Sequence, residues 1–243
     1  MLNNQKPEGL GTSDTLQVHS IFETIQGEGP FAGRPAIFVR LAGCNLQCPA
    51  CDTEYTSVRT EYTPLELVDI LDSMSNSVSN SLSPYWHKKF IVITGGEPFR
   101  QRIGKALKVL LMNGYEVQVE TNGTLFDPYM TSDLIRGRNL HFVCSPKTAL
   151  LNKHLLASIG AFKYVLKHNQ VAGDGLPITA LDHPCSGTVY RPGLTFPRNK
   201  IYVQPLDEGN PEANRKNLEA AVNSCKKFGY TFCLQVHKII NLP

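Results

Sequence analysis

Three cysteines, Cys44, Cys48 and Cys51, lie close together in the segment GCNLQCPACDT. Their C-x3-C-x2-C spacing lets three thiolates on one short loop converge on a single metal centre. A structural zinc site normally takes four protein ligands, and the sequence has no second C-x2-C or H-x3-H pair to complete one. Three cysteines suit a 4Fe–4S cluster that keeps one iron free for another ligand. A zinc site is the alternative interpretation.

A second motif, GGEP, follows the unbroken apolar run Phe90–Thr94 and contains Gly95, Gly96 and Glu97. Alone it would indicate an ordinary turn, but downstream of C-x3-C-x2-C it is specific. Together the two motifs resemble those of the radical SAM superfamily. The resemblance implies that the free iron binds S-adenosylmethionine (SAM), and that the backbone of the GGEP turn holds the methionine amino group. Glycines in such a turn permit close backbone approach.

The segment FETIQGEGPFAGRPAIFVRLAGCN, Phe22–Asn45, closely resembles the 7-carboxy-7-deazaguanine synthases. The motifs CDT, ETNG, SPK and YVQP and the ending H-x5-P also match that family. The resemblance runs from about residue 18 to the C-terminus and is weakest in Ser73–Lys89 and Gly173–Asn199. It implies conversion of 6-carboxy-5,6,7,8-tetrahydropterin to 7-carboxy-7-deazaguanine with loss of ammonia, in queuosine-type 7-deazapurine biosynthesis.

The resemblance assigns substrate contacts to Gln26, Glu28, Arg40, His237 and Pro243. Carboxylates, including the chain terminus at Pro243, are acceptors for pterin N–H groups, and a Gln amide both donates and accepts. The Arg40 fork suits a substrate carboxylate. The alternatives are loop structure for Gln26 and Glu28, a surface or paired charge for Arg40, and a frayed terminus.

The resemblance also assigns a magnesium ligand and SAM contacts. Thr53 matches the magnesium ligand, which makes sense if substrate oxygens and water complete the octahedron. The SAM-binding positions are Glu120, Asn122, Ser145, Lys147 and Gln204, besides the GGEP turn. Thr53 as a turn cap, and the others as supports of their own loops, are the alternatives.

One residue departs from the superfamily pattern. The position before the last cluster cysteine is commonly aromatic or bulky there and packs near the adenine, whereas this chain has Ala50. We expect Phe22 or Tyr55 to supply that contact instead.

The elements that must position these residues alternate between apolar strands and helices, which predicts a parallel sheet with right-handed crossovers. Predicted strands are Leu16–Thr24, Ala36–Gly43, Phe90–Thr94, Tyr115–Glu120, Leu140–Cys144, Phe162–Lys167, Ile201–Pro205 and Phe232–Val236. Predicted helices are one starting at Thr63–Pro64, then Arg102–Met112, Pro128–Ile135, Leu150–Ile159 and Pro211–Phe228. Because polar motifs follow the strands directly, we expect one site at their carboxyl ends.

About six strand–helix units are fewer than the eight of a full barrel. The expected fold is therefore α/β, an incomplete (partial) TIM-type barrel of parallel strands with helices outside, the radical SAM core. Residues 1–15 are predicted to be a flexible tail, and residues 16–243 a single domain that includes a C-terminal substrate-binding tail. Ser73–Ser83 is a predicted polar loop, and residues 169–199 an irregular excursion.

Composition sets outer limits on the function. Among 243 residues, 24 basic and 21 acidic side chains leave a charge of +3, which gives no warrant for a nucleic-acid or membrane surface. No apolar run approaches the ~20 residues that span a bilayer, and the start resembles no secretory signal. We expect a cytoplasmic, reducing location, in which Cys144, Cys225 and Cys233 are buried inert thiols.

The expected partners are the pterin and an electron donor such as flavodoxin or ferredoxin, with no direct nucleic-acid contact. The family is usually dimeric, so a homodimer is expected. Two other functions stay open. A radical SAM activase that makes glycyl radicals on a partner protein shares the cysteine motif but leaves TIQGEG and H-x5-P unexplained. A zinc-binding interaction module would explain the cysteines alone.

Overall fold

The structure is a computed structural model that describes residues 5–76, 90–135 and 137–243. Its strands are β1 (Leu16–Ile25), β2 (Pro35–Leu41), β3 (Thr60–Tyr62), β4 (Phe90–Gly95), β5 (Glu116–Thr121), β6 (Leu140–Cys144), β7 (Ile159–Leu166), β8 (Ile201–Pro205) and β9 (Thr231–Phe232). Its α-helices are α1 (Pro64–Asn76), α2 (Gly104–Met112), α3 (Ser132–Ile135), α4 (Lys153–Leu156), α5 (Pro211–Phe228) and α6 (Val236–Ile239). The predicted Ser-rich loop begins within α1, and its remainder lies outside the described residues.

The described strands form one mostly parallel sheet in the order β3-β1-β2-β4-β5-β6-β7-β8-β9. Every pairing from β2 to β9 is parallel, whereas β1 is antiparallel to both β2 and β3. The predicted parallel sheet is confirmed from β2 to β9, and the prediction was wrong only at the β1 edge. The connection between β1 and β2, residues 26–34, is too short for a helical crossover, and such a short link joins antiparallel strands.

Two strands and the longest described helix match their predicted bounds residue for residue: β6, β8 and α5. Side-chain caps explain the good helix starts. Thr63 Oγ1 accepts from the Glu66 amide at 3.3 Å, and Glu66 Oε2 accepts from the Thr63 amide at 2.8 Å, which makes a capping box before α1. Asn210 caps α5, and Gly229 closes it in the left-handed conformation with φ 75°.

Three predicted elements are shorter or different. The predicted helix Leu150–Ile159 is only α4, because Asn152 Oδ1 accepts from the His154 amide and starts the helix late, and Ile159 already belongs to β7. The helix predicted at Pro128–Ile135 is only α3. Of the strand predicted at Phe232–Val236, only Phe232 lies in β9, and the chain then turns into α6.

The core lies on both faces of the sheet. In β4, Ile91 and Ile93 join the large cluster beside Leu67 and Leu107 of the helices. Phe90 and Val92 belong to a second cluster on the other face. Each fully buried side chain of this kind stabilises the fold by roughly 1.5–3 kcal/mol. Within the described ranges, none of the helices has the length and apolar content that crossing a membrane would need.

Residues 5–15 belong to no helix and to no strand. Part of this segment is nevertheless bonded to the cysteine loop. The Glu8 amide donates to Cys44 O and the Gly11 amide to Arg100 O, both at 2.7 Å. The Glu8 carboxylate pairs with Arg59 and lies 3.3 Å from Arg100. Part of the predicted tail thus contacts the fold, and Glu8 supplies a counter-charge to the buried Arg100 side chain.

Candidate active site

The carboxyl ends of the parallel strands surround a cavity of about 290 Å³. All predicted site residues except Glu97 line it. They are Gln26, Glu28, Arg40, Cys44, Cys48, Cys51, Thr53, Gly95, Gly96, Glu120, Asn122, Ser145, Lys147, Gln204, His237 and Pro243. The fold therefore gathers side chains that are far apart in the sequence into one place.

The cysteine loop presents three free thiols to this cavity. Cys44 and Cys48 are buried, and Cys51 is partly buried. Burial raises the pKa of Cys44 to about 12, that of Cys48 to about 11, and that of Cys51 above its usual value. Neutral thiols are thus favoured until a positive metal centre offsets the desolvation of the thiolates.

This donor set fits an iron–sulfur cluster. Within the described residues, no three His, Cys, Asp or Glu side chains are placed to hold one metal ion together. In a 4Fe–4S cluster each cysteine binds a different iron, so the three sulfurs surround a cluster instead of meeting at one ion. Three thiols on one loop beside a roomy cavity match that requirement.

The GGEP turn packs directly under the cysteine loop. A Cβ on Gly96 would lie 2.0 Å from Gly43 O, and one on Gly95, whose φ is 125°, would lie 2.2 Å from Leu41 O. The Gly96 amide donates to Leu41 O at 3.2 Å, and the Glu97 amide donates to Gly43 O at 3.0 Å. The glycines therefore serve close packing, and what the turn can offer a bound amino group is carbonyl oxygen.

The Glu97 side chain faces away from the cavity and is fully buried. Its carboxylate accepts from the Phe99 amide at 3.0 Å, Thr121 Oγ1 at 2.7 Å and the Asn122 amide at 2.7 Å. Burial raises the pKa of Glu97 to about 7, although these donors favour the ionised form. Glu97 thus ties the GGEP turn to the ETNG turn, and its main-chain amide bonds to Gly43 O.

Two of the predicted SAM-binding residues bond to each other, and a third bonds to the cysteine loop. Lys147 Nζ donates to Ser145 O at 2.8 Å and to Ser145 Oγ at 2.7 Å. Asn122 Nδ2 donates to Asn45 Oδ1 at 3.0 Å. Gln204 Oε1 is buried and has no hydrogen-bond partner among the described residues. Such an acceptor is suited to a donor from a bound ligand.

Arg40 projects from β2 into the cavity above Phe22, with its guanidinium carbon 5.2 Å from the ring centroid. Its Nε is buried and, in the part of the chain that the structure describes, lacks a hydrogen-bond partner. Burial lowers the pKa of Arg40. Because an unpaired buried donor is costly, this guanidinium is where an anionic ligand group would be best stabilised.

The chain terminus returns to the cavity. Pro243 O accepts from Thr24 Oγ1 at 3.1 Å, and the Leu242 amide donates to His237 O at 2.9 Å. A Cβ on Gly27 would lie 2.1 Å from His237 Nδ1, so the QGEG segment leaves room for this imidazole. The structure thus places Pro243 and His237 on the same cavity wall.

Sequence reasoning missed Lys163 and Leu181. Lys163 lines the cavity from the middle of β7, and a lysine inside a strand of a buried parallel sheet was an available signal. Leu181 belongs to the 169–199 excursion, lines the cavity and accepts from the Ala50 amide at 3.1 Å. Phe22 and Tyr55, the predicted replacements for a bulky residue at position 50, line it as well.

Comparison with known proteins shows which family this chain resembles. A family model described as a 4Fe-4S single cluster domain matches residues 25–170. The 7-carboxy-7-deazaguanine synthase of Rhodospirillum rubrum is 40% identical over 239 residues, which cover 96% of this chain and 94% of that protein. The protein of the same name from Rickettsia prowazekii is 36% identical over 240 residues, 96% of this chain and 91% of its own.

A solved structure supports the fold. The crystal structure of QueE from Escherichia coli superposes with a TM-score of 0.59 at 19% identity, and covers 90% of this chain and 93% of that one. This likeness concerns the fold alone, whereas the sequence identities above reach over nearly the whole chain. The chain therefore belongs to the 7-carboxy-7-deazaguanine synthase family.

Proposed function

We propose that the protein is a radical SAM enzyme that converts 6-carboxy-5,6,7,8-tetrahydropterin to 7-carboxy-7-deazaguanine with loss of ammonia, in queuosine-type 7-deazapurine biosynthesis. One observation carries the proposal: residues from position 26 to position 243 meet in one cavity beside the C-x3-C-x2-C loop. Family membership supplies the identity of the reaction.

Cys44, Cys48 and Cys51 would hold the 4Fe–4S cluster. Bound there, the cluster supplies the electron that cleaves SAM and so starts the radical chemistry by hydrogen abstraction from the substrate. Lys147 lines the cavity and would be the cation for the SAM carboxylate, and the buried Gln204 Oε1 would be an acceptor for another SAM group. Gly95, Gly96, Glu120, Asn122 and Ser145 would complete this part of the site.

The substrate would lie between Arg40 and the carboxylates. The unpaired Nε of Arg40 supports its role as the partner of the pterin carboxylate. Glu28 and the terminal carboxylate of Pro243 are acceptors for the N–H groups of the guanidine-like edge, with Gln26 and His237 beside them. These side chains orient the ring, so that the radical reaches one hydrogen and no other.

Thr53 would bind magnesium as a single neutral ligand. It lines the cavity, and its Oγ1 lies 3.4 Å from Asp52 Oδ1. Substrate oxygens and water would supply the remaining ligands, as magnesium commonly requires. The ion would help to orient the substrate carboxylate.

The remaining features belong to the same proposal. The open sheet, with its cavity at the strand ends, would be the wall of an incomplete barrel. Free cysteines and an oxygen-sensitive cluster suit the reducing cytoplasm. The protein would be a homodimer. It would receive electrons from flavodoxin or ferredoxin and would not contact nucleic acid.

The test is one anaerobic turnover experiment read by mass spectrometry. The reconstituted protein receives SAM, reductant, magnesium and the pterin, and we expect 7-carboxy-7-deazaguanine. If 5′-deoxyadenosine forms without that product, the substrate is wrong. If neither forms although the cluster is intact, the proposed function fails. About four irons per chain exclude the zinc-binding module, because that module predicts colourless protein with zinc.

A further inference from the structure

A buried cation lies between two carboxylates on the cavity wall. The side chains of Lys163, Glu28 and Glu120 are only 7%, 13% and 18% exposed. Lys163 Nζ forms an ion pair with Glu28 and lies 3.3 Å from Glu120 Oε2. All three residues line the cavity, and they come from three separate segments of the chain. We call them the carboxylate triad.

The surroundings of the triad favour ionised carboxylates. Four glutamine amides donate to them: Gln204 and Gln235 to Glu28 Oε1 at 3.2 and 2.8 Å, and Gln26 and Gln118 to Glu120 Oε1 at 3.0 and 2.9 Å. A carboxylate accepts all such bonds, whereas a protonated carboxyl gives up part of its acceptor capacity. Without the cation, two buried carboxylates this close would not both stay ionised.

We infer that Lys163 is a positioning residue, which holds Glu28 and Glu120 together as carboxylates where the pterin and SAM parts of the cavity meet. Glu28 thereby stays an acceptor for the N–H groups of the pterin, and Glu120 stays an acceptor on the SAM side. This inference rests on the proposed function, since it assumes that the pterin binds against this wall. It assigns to Lys163 a task that neither the cysteine motif nor the predicted substrate contacts include.

The charges support an electrostatic task and not proton transfer. Although burial opposes ionisation, the charge of Lys163 and its hydrogen bond lower the pKa of Glu28 to about 2. Burial likewise opposes the ammonium, but Glu120 and Glu28 together raise the pKa of Lys163. An ammonium held in this way keeps its proton at neutral pH and therefore acts through the carboxylates.

Other titratable groups face the triad. His237 of α6 interacts electrostatically with Glu28. Cys233 interacts electrostatically with Lys163 and with both carboxylates. Arg40 and the carboxylate of Pro243 line the same cavity. Any pH dependence that these groups cause is present in the wild type too, so the test compares each variant with the wild type across pH.

The experiment measures the Kd of 6-carboxy-5,6,7,8-tetrahydropterin on cluster-loaded, SAM-bound protein from about pH 6 to about pH 9, together with iron content and Tm. The variants are Lys163→Met, Lys163→Arg and the double variant Lys163→Met/Glu120→Gln. Lys153→Met, at an exposed lysine of α4, is the matched control and should behave as the wild type.

We expect Lys163→Met to weaken pterin binding about 10- to 100-fold at the low end of this range, because one carboxylate takes up a proton there. The loss should shrink as the pH rises. Lys163→Arg keeps the charge and should largely restore the wild-type profile. The double variant leaves a single carboxylate, so its Kd should again follow the pH response of the wild type.

Two results overturn the inference. One is a Lys163→Met protein with wild-type Kd at every pH. The other is a loss of binding in Lys163→Met that is equal at every pH and is not restored by Lys163→Arg, which would mark a merely structural lysine. If Lys163→Met does not fold, the arginine and double variants carry the same comparison. Wild-type protein that does not bind the pterin overturns the proposed function itself.

Discussion

The cavity wall combines two groups of residues that acquire their charges in different ways. The thiols of Cys44, Cys48 and Cys51 come from one short loop, and burial keeps them neutral. Glu28 and Lys163 are 135 positions apart in the chain, and the charge of each stabilises the charge of the other. The first group needs a metal to become charged, whereas the second is charged as soon as the chain folds.

The two groups therefore depend on different parts of the structure. The cysteine loop depends on its ligand and on the packing of the GGEP turn beneath it. The carboxylate triad depends on the register of β5 and β7 and on the return of the chain end to the cavity. Substitutions that affect one group and spare the other therefore test the comparison.

The largest effect is expected from Cys48→Ser. A serine hydroxyl does not replace a thiolate on iron, so the protein should lose most of its iron and all detectable product formation. The matched control is Cys185→Ser, in the 169–199 segment away from the cavity, which should keep both. Iron assay and anaerobic turnover measure the outcome. Full iron content in Cys48→Ser would contradict the assignment of the cluster.

A smaller effect is expected from a short extension after Pro243, such as Gly-Ser-Gly. The extension converts the terminal carboxylate into an amide and removes a charge-assisted hydrogen bond, so the KM for the pterin should rise about 10- to 100-fold. Iron content should not change, since the extension is remote from the cysteine ligands. The same three residues placed before Met1 are the control, and identical kinetics for both fusions would show that the terminus does not touch the substrate.

The comparison also shows which part of the fold the sequence could predict. Local sequence patterns were enough to place β6, β8 and α5. The antiparallel edge at β1 was missed, although the short link to β2 contained the signal. The ends of α4 and β9 depend on side-chain caps and on the turn into α6, which hydrophobic periodicity does not report.

In the site, the residues found from the sequence are those that lie in recognisable motifs. Lys163 was missed because its partners Glu28 and Glu120 become neighbours only when the sheet forms. Glu97 shows the opposite case: its motif is recognisable, yet its side chain bonds to the ETNG turn and not to the cavity. Motifs therefore identify chemistry, whereas the direction of each side chain comes from packing.

Glu97→Gln should change stability more than chemistry. Both carboxylate oxygens accept hydrogen bonds, and an amide would place its NH₂ group against a donor, so unfolding should become easier by about 1–3 kcal/mol. Because the pKa of Glu97 is raised from 4.5 to about 7, the folded state holds the proton more tightly than the unfolded chain. This contribution to stability is full below pH 4.5 and falls as the pH rises through about 7.

Anaerobic urea denaturation across this pH range measures both effects. The pH slope that Glu97 causes should disappear in Glu97→Gln and remain in the control Glu212→Gln, at an exposed side chain of α5. A variant that keeps the wild-type slope would show that the three donors, and not burial, decide the ionisation of Glu97.

The smallest effect is expected in the N-terminal segment. It tests whether contacts from this segment help to hold the cysteine loop in place. Glu8→Gln removes the ion pairs with Arg59 and Arg100 but keeps the amide bond to Cys44 O. Pairs that are partly exposed contribute little, so we expect iron loss to a chelator to quicken only about two- to fivefold, and less at high salt. Deletion of residues 1–12 also removes the bond to Cys44 O and should quicken it further. If neither change alters the rate, the N-terminal segment does not help to hold the cysteine loop, and the contrast with the carboxylate triad becomes sharper.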